Sequence, residues 1–93
     1  VKVDNNKFTD LVKQCVSDDM NERFGSNRIT PDDVYIVWLS RVLQNNKALA
    51  STPVPNSPYY EITYDGDKHA IYIDAYQKTA NREASYCETY DVD

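Results

Sequence analysis

Glycine, histidine, cysteine and positive charge are all scarce in this chain of 93 residues, and each shortage removes a class of function. Two glycines leave no glycine-rich loop whose backbone could wrap a phosphate. The single histidine, His69, follows the turn-forming run Asp65-Gly66-Asp67-Lys68. With no second histidine and no neighbouring cysteine, it completes neither a hydrolase triad nor a zinc site. Asp65-Gly66-Asp67 has the middle of a calcium loop but not its spaced ligands or terminal glutamate, and reads as a turn. Cys15 and Cys87 are too few for a disulfide framework, and Cys15 falls in a helical apolar pattern where a thiol acts as a small hydrophobe. Both are expected as free thiols of a reducing compartment. No run of about 18 apolar residues exists to cross a membrane as a helix. The start, Val1-Lys2-Val3-Asp4-Asn5-Asn6, lacks the apolar centre of a signal peptide, so a cytoplasmic protein is expected. Ten basic against fifteen acidic residues give a net charge of −5, which disfavours non-specific grip on DNA or RNA. The same acidity suits solubility, or imitation of nucleic acid toward a basic partner.

What remains is an ordinary folding domain. A hydrophobic fraction of 41% with few prolines supports one packed unit over residues 1–93 with a thin core. Phe8, Leu11, Val12, Cys15, Val16, Met20 and Phe24 recur at steps of three and four, the period of one helix face. Asp4, Asn5 and Asn6 can cap the start, and Gly25 stands where a left-handed stop belongs, so residues 1–25 read as an amphipathic helix.

A sheet is expected over residues 33–78. Thr30-Pro31-Asp32-Asp33 has the cap and proline of a helix start, yet Val34-Tyr35-Ile36-Val37-Trp38-Leu39 is β-branched and aromatic throughout. That run reads as a strand buried on both sides, with one helical turn ahead of it as an open alternative. Gln44-Asn45-Asn46-Lys47 supplies turn residues, and Lys47 to Thr52 returns as a shorter strand. Pro53, Pro55 and Pro58 mark a connector. Tyr59–Tyr64 and Ala70–Tyr76 then alternate cleanly around a turn. With Gly66 and Asp67 at the centre of that turn, Ile62 faces Ile71 and Tyr60 faces Ile73, sharing a buried face with Tyr64 and Ala75. Ala80, Arg82, Glu83 and Ala84 favour helix, and 79–93 is an acidic tail, partly helical or frayed. The expected fold is therefore α+β: one N-terminal helix on a four-stranded, mostly antiparallel sheet of two hairpins, with a short C-terminal helix as a further candidate.

The residues that point to function are tyrosines. Eight of eleven aromatics are Tyr, and Tyr59, Tyr72 and Tyr76 fall on the polar side of the second hairpin with Glu61 and Asp74. Tyrosine offers a rigid contact area with a polar tip, and it is enriched where proteins bind one another. These five form a candidate protein-binding face, while solvent-facing strand tyrosines or cover by the tail is the plainer account. Glu61 and Asp74 lie on adjacent strands, the geometry a general acid–base pair needs, although exposed strands carry acids routinely. No catalytic, cofactor or metal-binding constellation is found, and no enzyme is expected.

The strings Val37-Trp38, Leu43-Gln44-Asn45-Asn46-Lys47-Ala48-Leu49, Ser51-Thr52, Tyr59 to Lys68 and Ile71 to Lys78 carry a resemblance. They resemble a family of small uncharacterised proteins, a domain of unknown function, of tailed phages and prophages of Gram-positive bacteria. The resemblance implies context rather than mechanism: a non-enzymatic accessory protein in the cytoplasm of the host bacterium. It would act by binding a host or phage protein, in one form inhibiting a host process or defence system. An exposed sheet edge offers homo-oligomerisation as another route to association. Two alternatives stand beside this reading. One is a nucleic-acid-associated factor in replication or packaging, with a basic patch of Arg41, Lys47, Lys78 and Arg82. The other is a small-ligand domain with a pocket between helix and sheet around Trp38.

Overall fold

The computed structural model describes residues 5–25, 28–85 and 89. The apolar stripe produces a helix, α1, over Asn5–Phe24. It buries Phe8, Val12, Val16, Ser17 and Met20, while Leu11 and Phe24 stand outside the covered stripe. Gly25 follows at φ +60°, a left-handed conformation that glycine enters without a Cβ clash. Asn21 then ties the returning chain to the last turns of the helix. Its amide nitrogen donates to the Ile29 carbonyl at 2.8 Å, and its oxygen accepts from the Ile29 N–H at 3.1 Å.

Thr30-Pro31-Asp32-Asp33 does open a helical turn, a single 3-10 turn over Pro31–Asp33. The Asp33 carboxylate accepts from the Thr30 N–H at 2.8 Å, and the Asp33 N–H donates to the Thr30 carbonyl at 3.0 Å. Four strands follow: β1 (Tyr35–Val42), β2 (Asn45–Ser51), β3 (Tyr59–Asp65) and β4 (Ala70–Tyr76). They form one antiparallel sheet in the order β1-β2-β3-β4. The fold is thus the expected α+β arrangement of one helix on a four-stranded sheet.

The core lies between α1 and the two central strands. Phe8, Val12, Val16 and Met20 meet Ala48, Ala50, Tyr60 and Ile62, with Val34 closing one side. Ala48 and Ala50 are small enough to let the helix approach β2 closely. Burial of an Ile62-sized side chain contributes about 1.5–3 kcal/mol. The Tyr60 hydroxyl donates to Asp19 Oδ2 at 2.8 Å, and Arg23 Nε meets the same oxygen at 2.7 Å. That one carboxylate fixes how far the helix slides along the sheet.

Several expectations need correction. Val34–Leu39 was expected to be covered on both faces, but β1 is an edge strand and mostly exposed. A helix about 10 Å across covers roughly two strands spaced about 4.8 Å apart, so α1 over β2 and β3 leaves β1 and β4 in solvent. The first hairpin turns at Leu43-Gln44, with Leu43 at φ +56°, so Asn45 and Asn46 belong to β2 and Asn46 is buried. The second hairpin is displaced by two residues from the expected register: Ile62 opposes Ile73, Tyr60 opposes Ala75 and Tyr64 opposes Ile71. Asp65 is the cause. Its Oδ1 accepts from the N–H groups of Asp67 and Lys68 at 3.0 and 3.2 Å, which stabilises a four-residue turn over residues 66–69. A two-residue shift keeps every side chain on its side of the sheet, but the expected burial fails on β4: Ile73 and Ala75 lie beyond the reach of α1 and are exposed.

The connector after β2 is closed by hydroxyls: Ser51 Oγ donates to the Pro58 carbonyl at 2.9 Å, and Thr52 Oγ1 to Ser57 Oγ at 2.8 Å. Residues 77–85 run without regular secondary structure, so the C-terminal helix does not form around Ala80–Ala84. Cys87 and the remainder of the expected tail, apart from residue 89, lie outside the described residues, as does Asp4.

Candidate protein-binding face

Alternation along β3 and β4 decides the site. Tyr60 and Ile62 point to α1, so Tyr59, Glu61 and Thr63 point to the other side of the sheet. Their partners across the ladder follow them: Tyr59 opposes Tyr76, Glu61 opposes Asp74 and Thr63 opposes Tyr72. All five candidate residues therefore come together on the sheet face that α1 does not cover. Tyr59, Tyr72 and Tyr76 are 43%, 46% and 53% exposed, half embedded against their neighbours and half presented to solvent. Glu61 is half-buried and pairs with Lys47 Nζ at 3.5 Å, while Asp74 is exposed. The two carboxylates thus face each other on an open surface, one engaged by a lysine.

The face is wider than the tyrosine pattern indicated. Leu49 sits beside Glu61 on β2 and opposite Trp38 on β1. A bulge between Ile36 and Trp38 puts one extra residue, Val37, into β1. Such an insertion turns two successive side chains toward the same side, so Val37 and Trp38 both join this face. Tyr35, Val37 and Trp38 remain 45%, 47% and 39% exposed. Aromatic groups therefore flank the sheet on both edges, with Lys47, Leu49, Glu61 and Thr63 between them. The continuous apolar run of β1 concealed this, because it carries no alternation to mark an open side. The signal available in the sequence was arithmetic: one helix cannot cover four strands.

The groups needed by the alternative readings are dispersed. Arg41 opposes the buried Asn46 on the helix side of the sheet, whereas Lys47 lies on the open face. Lys78 follows the far end of β4 and Arg82 lies in the irregular segment beyond it, so these four cations do not form one patch. Trp38 faces away from α1, so among the described residues no pocket between helix and sheet forms around it. A groove of about 420 Å³ lies instead at the end of the helix, lined chiefly by Met20, Phe24, Ile29 and Val54. His69 occupies the turn at φ +51°, exposed, with its Nδ1 3.3 Å from the Tyr64 hydroxyl. Among the described residues no group of three His, Cys, Asp or Glu side chains is placed to hold a metal ion. No helix among them is long and apolar enough to cross a membrane.

Three titrations are displaced among the described residues, all away from the open face; one is that of Arg23, raised by its hydrogen bond to Asp19. Burial, and then the hydrogen bond to Asp19, push the Tyr60 hydroxyl well above the usual tyrosine range. Burial, with the Asp18 carboxylate nearby, raises the Cys15 thiol. Neither the tyrosine nor the thiol is poised as a nucleophile: one is locked in a structural hydrogen bond, and the other is held protonated.

No curated protein and no solved structure is significantly similar to this chain. A family model described as "Family of unknown function (DUF6275)" matches residues 5–86, from the first residue of α1 through all four strands. The chain belongs to that family of unknown function.

Proposed function

We propose that this domain is a non-enzymatic protein-binding module that presents the uncovered face of its sheet to a protein partner. One observation carries the reading: among the described residues an entire sheet face has no covering layer, and it is furnished with half-exposed aromatics. A soluble domain seldom leaves contiguous apolar area open, and tyrosine and tryptophan are the side chains that anchor protein interfaces. Tyr59, Tyr72, Tyr76 and Trp38 would supply the contact area. Asp74 and the Lys47–Glu61 pair would set orientation and partner choice. In this proposal the domain is an accessory protein of a tailed phage or prophage. It works in the host cytoplasm, where it diverts a host or phage protein and so restrains a host process or defence system.

The test is affinity capture of the tagged protein from bacterial lysate, with and without nuclease, followed by Tyr72→Ala and Tyr76→Ala. The expected result is one stoichiometric protein that survives nuclease and is lost from a folded double variant. Capture that vanishes with nuclease would move the reading to nucleic acid. Retention by the double variant would remove the open face from the site.

A further inference from the structure

We infer that β1 is a self-association edge, and that two copies of this chain join β1 to β1 in antiparallel fashion to make one continuous eight-stranded sheet. The inference is independent of the protein-binding proposal, because it concerns the edge of the sheet rather than its open face.

Its first support is a mismatch between the sequence of β1 and its position. Val34-Tyr35-Ile36-Val37-Trp38-Leu39 is a continuous apolar run, the composition of a strand with neighbours on every side. Yet β1 ends the sheet, with nothing paired to its outer edge among the described residues. Its apolar side chains are open on both faces: Tyr35, Val37 and Trp38 on one, and Leu39, 44% exposed, on the other. Val42 and Leu43, at 64% and 87%, continue the exposure into the turn. Edge strands are ordinarily protected by charge, and the six residues from Tyr35 to Ser40 contain none.

The second support is charge, and it selects the occupant. The chain carries a net charge of −5, so most contacts between two copies bring acids together. β1 is the exception. An exposed acidic pair, Asp32-Asp33, precedes it, and an exposed cation, Arg41, ends it. Arg41 forms no ion pair among the described residues. Asp33 lies four residues before Val37 and Arg41 four residues after it. A two-fold axis through Val37 therefore sets Arg41 of each copy beside the Asp32-Asp33 turn of the other, twice in the same dimer. The remaining edge does the reverse. Antiparallel self-pairing of β4 about Ile73 sets Lys78 opposite Lys68, and about Asp74 it sets that carboxylate against itself.

A bulge commonly guards an edge. Here the extra residue, Val37, falls on the axis, so the stretches on either side of it pair with one another across the dimer. The product has two α1 helices on one side and a doubled aromatic face on the other, an isologous assembly closed by its own symmetry.

Sedimentation velocity on the purified chain, from micromolar to millimolar concentration, tests this. The wild type is expected to dimerise, more weakly as salt rises. Arg41→Glu places like charges at both ends of the interface and should raise the dissociation constant by at least about tenfold. Asp32→Lys should weaken the dimer in the same way, and the two changes together should restore it. Ile73→Lys, on the other edge, should leave the dimer intact. All three sites are exposed, so circular dichroism should report one fold throughout. A wild type that stays monomeric at every concentration would overturn the inference. So would a dimer indifferent to Arg41→Glu, one that the paired exchange fails to restore, or one abolished by Ile73→Lys.

Discussion

Tyr60→Phe removes one oxygen from the centre of the molecule, and its cost follows from where that oxygen lies. The tyrosine is fully buried, and its hydroxyl donates to Asp19 Oδ2 at 2.8 Å. A hydrogen bond to a charged acceptor contributes about 1.5–3 kcal/mol net. Two features lower the figure here. Asp19 keeps its contact with Arg23 at 2.7 Å after the change, and its side chain is 23% exposed, so water can replace the lost donor. About 1–2 kcal/mol of destabilisation is expected, read from the urea midpoint at constant slope. The Arg23 side chain is exposed, so Arg23→Ala should cost less than Tyr60→Phe. A double-mutant cycle between Tyr60→Phe and Asp19→Ala isolates the cross-layer bond, with a coupling of about 1 kcal/mol expected. pH adds an independent reading. The folded hydroxyl titrates well above the unfolded value of about 10, because burial and the bond to Asp19 both favour the neutral form. Below pH ~10 both states are protonated and its contribution is complete; above that the unfolded chain ionises first, so stability falls as pH rises. The Phe variant should therefore lose stability with alkali less steeply than the wild type. The slopes should differ by no more than one proton, about 1.4 kcal/mol per pH unit. A coupling near zero, or identical alkaline slopes, would refute the claim that this bond registers the helix on the sheet.

Two further outcomes follow from local geometry. Gly66 donates its N–H to the Gln44 carbonyl at 3.0 Å, which joins the two hairpin turns, and a Cβ at Gly66 would run into that same backbone oxygen. Gly66→Ala should cost about 1–3 kcal/mol in chemical denaturation, with a neutral result showing that the turns are free to separate. The Cys15 thiol is raised by burial and by Asp18, so its thiolate fraction at mild alkaline pH is small. Iodoacetamide should modify it more slowly in the folded protein than in urea at the same pH, and equal rates would contradict its placement against the core.

Where the pattern along the chain carries a period, it gives the element and the side of each residue, though not how far a neighbour covers it. The steps from Phe8 to Met20 define α1, and the alternation of Tyr59–Tyr64 with Ala70–Tyr76 assigns every side chain to its face. The register of that hairpin escaped because it depends on whether Asp65 accepts from Asp67 and Lys68, a choice of turn that alternation does not record. Leu43 at φ +56° escaped for a related reason: leucine is a poor candidate for a left-handed turn beside Asn45 and Asn46, yet Asn46 is needed in the ladder opposite Tyr64. β1 is the instructive case. Its apolar run states how much surface the strand must bury, not which atoms bury it. Among the described residues a single helix covers the two central strands and leaves both flanks open. The composition of β1 is therefore information about the assembly as well as the fold. Tyr35, Val37, Trp38 and Leu39 keep apolar surface that nothing among the described residues covers, which is the premise of the proposed β1–β1 dimer.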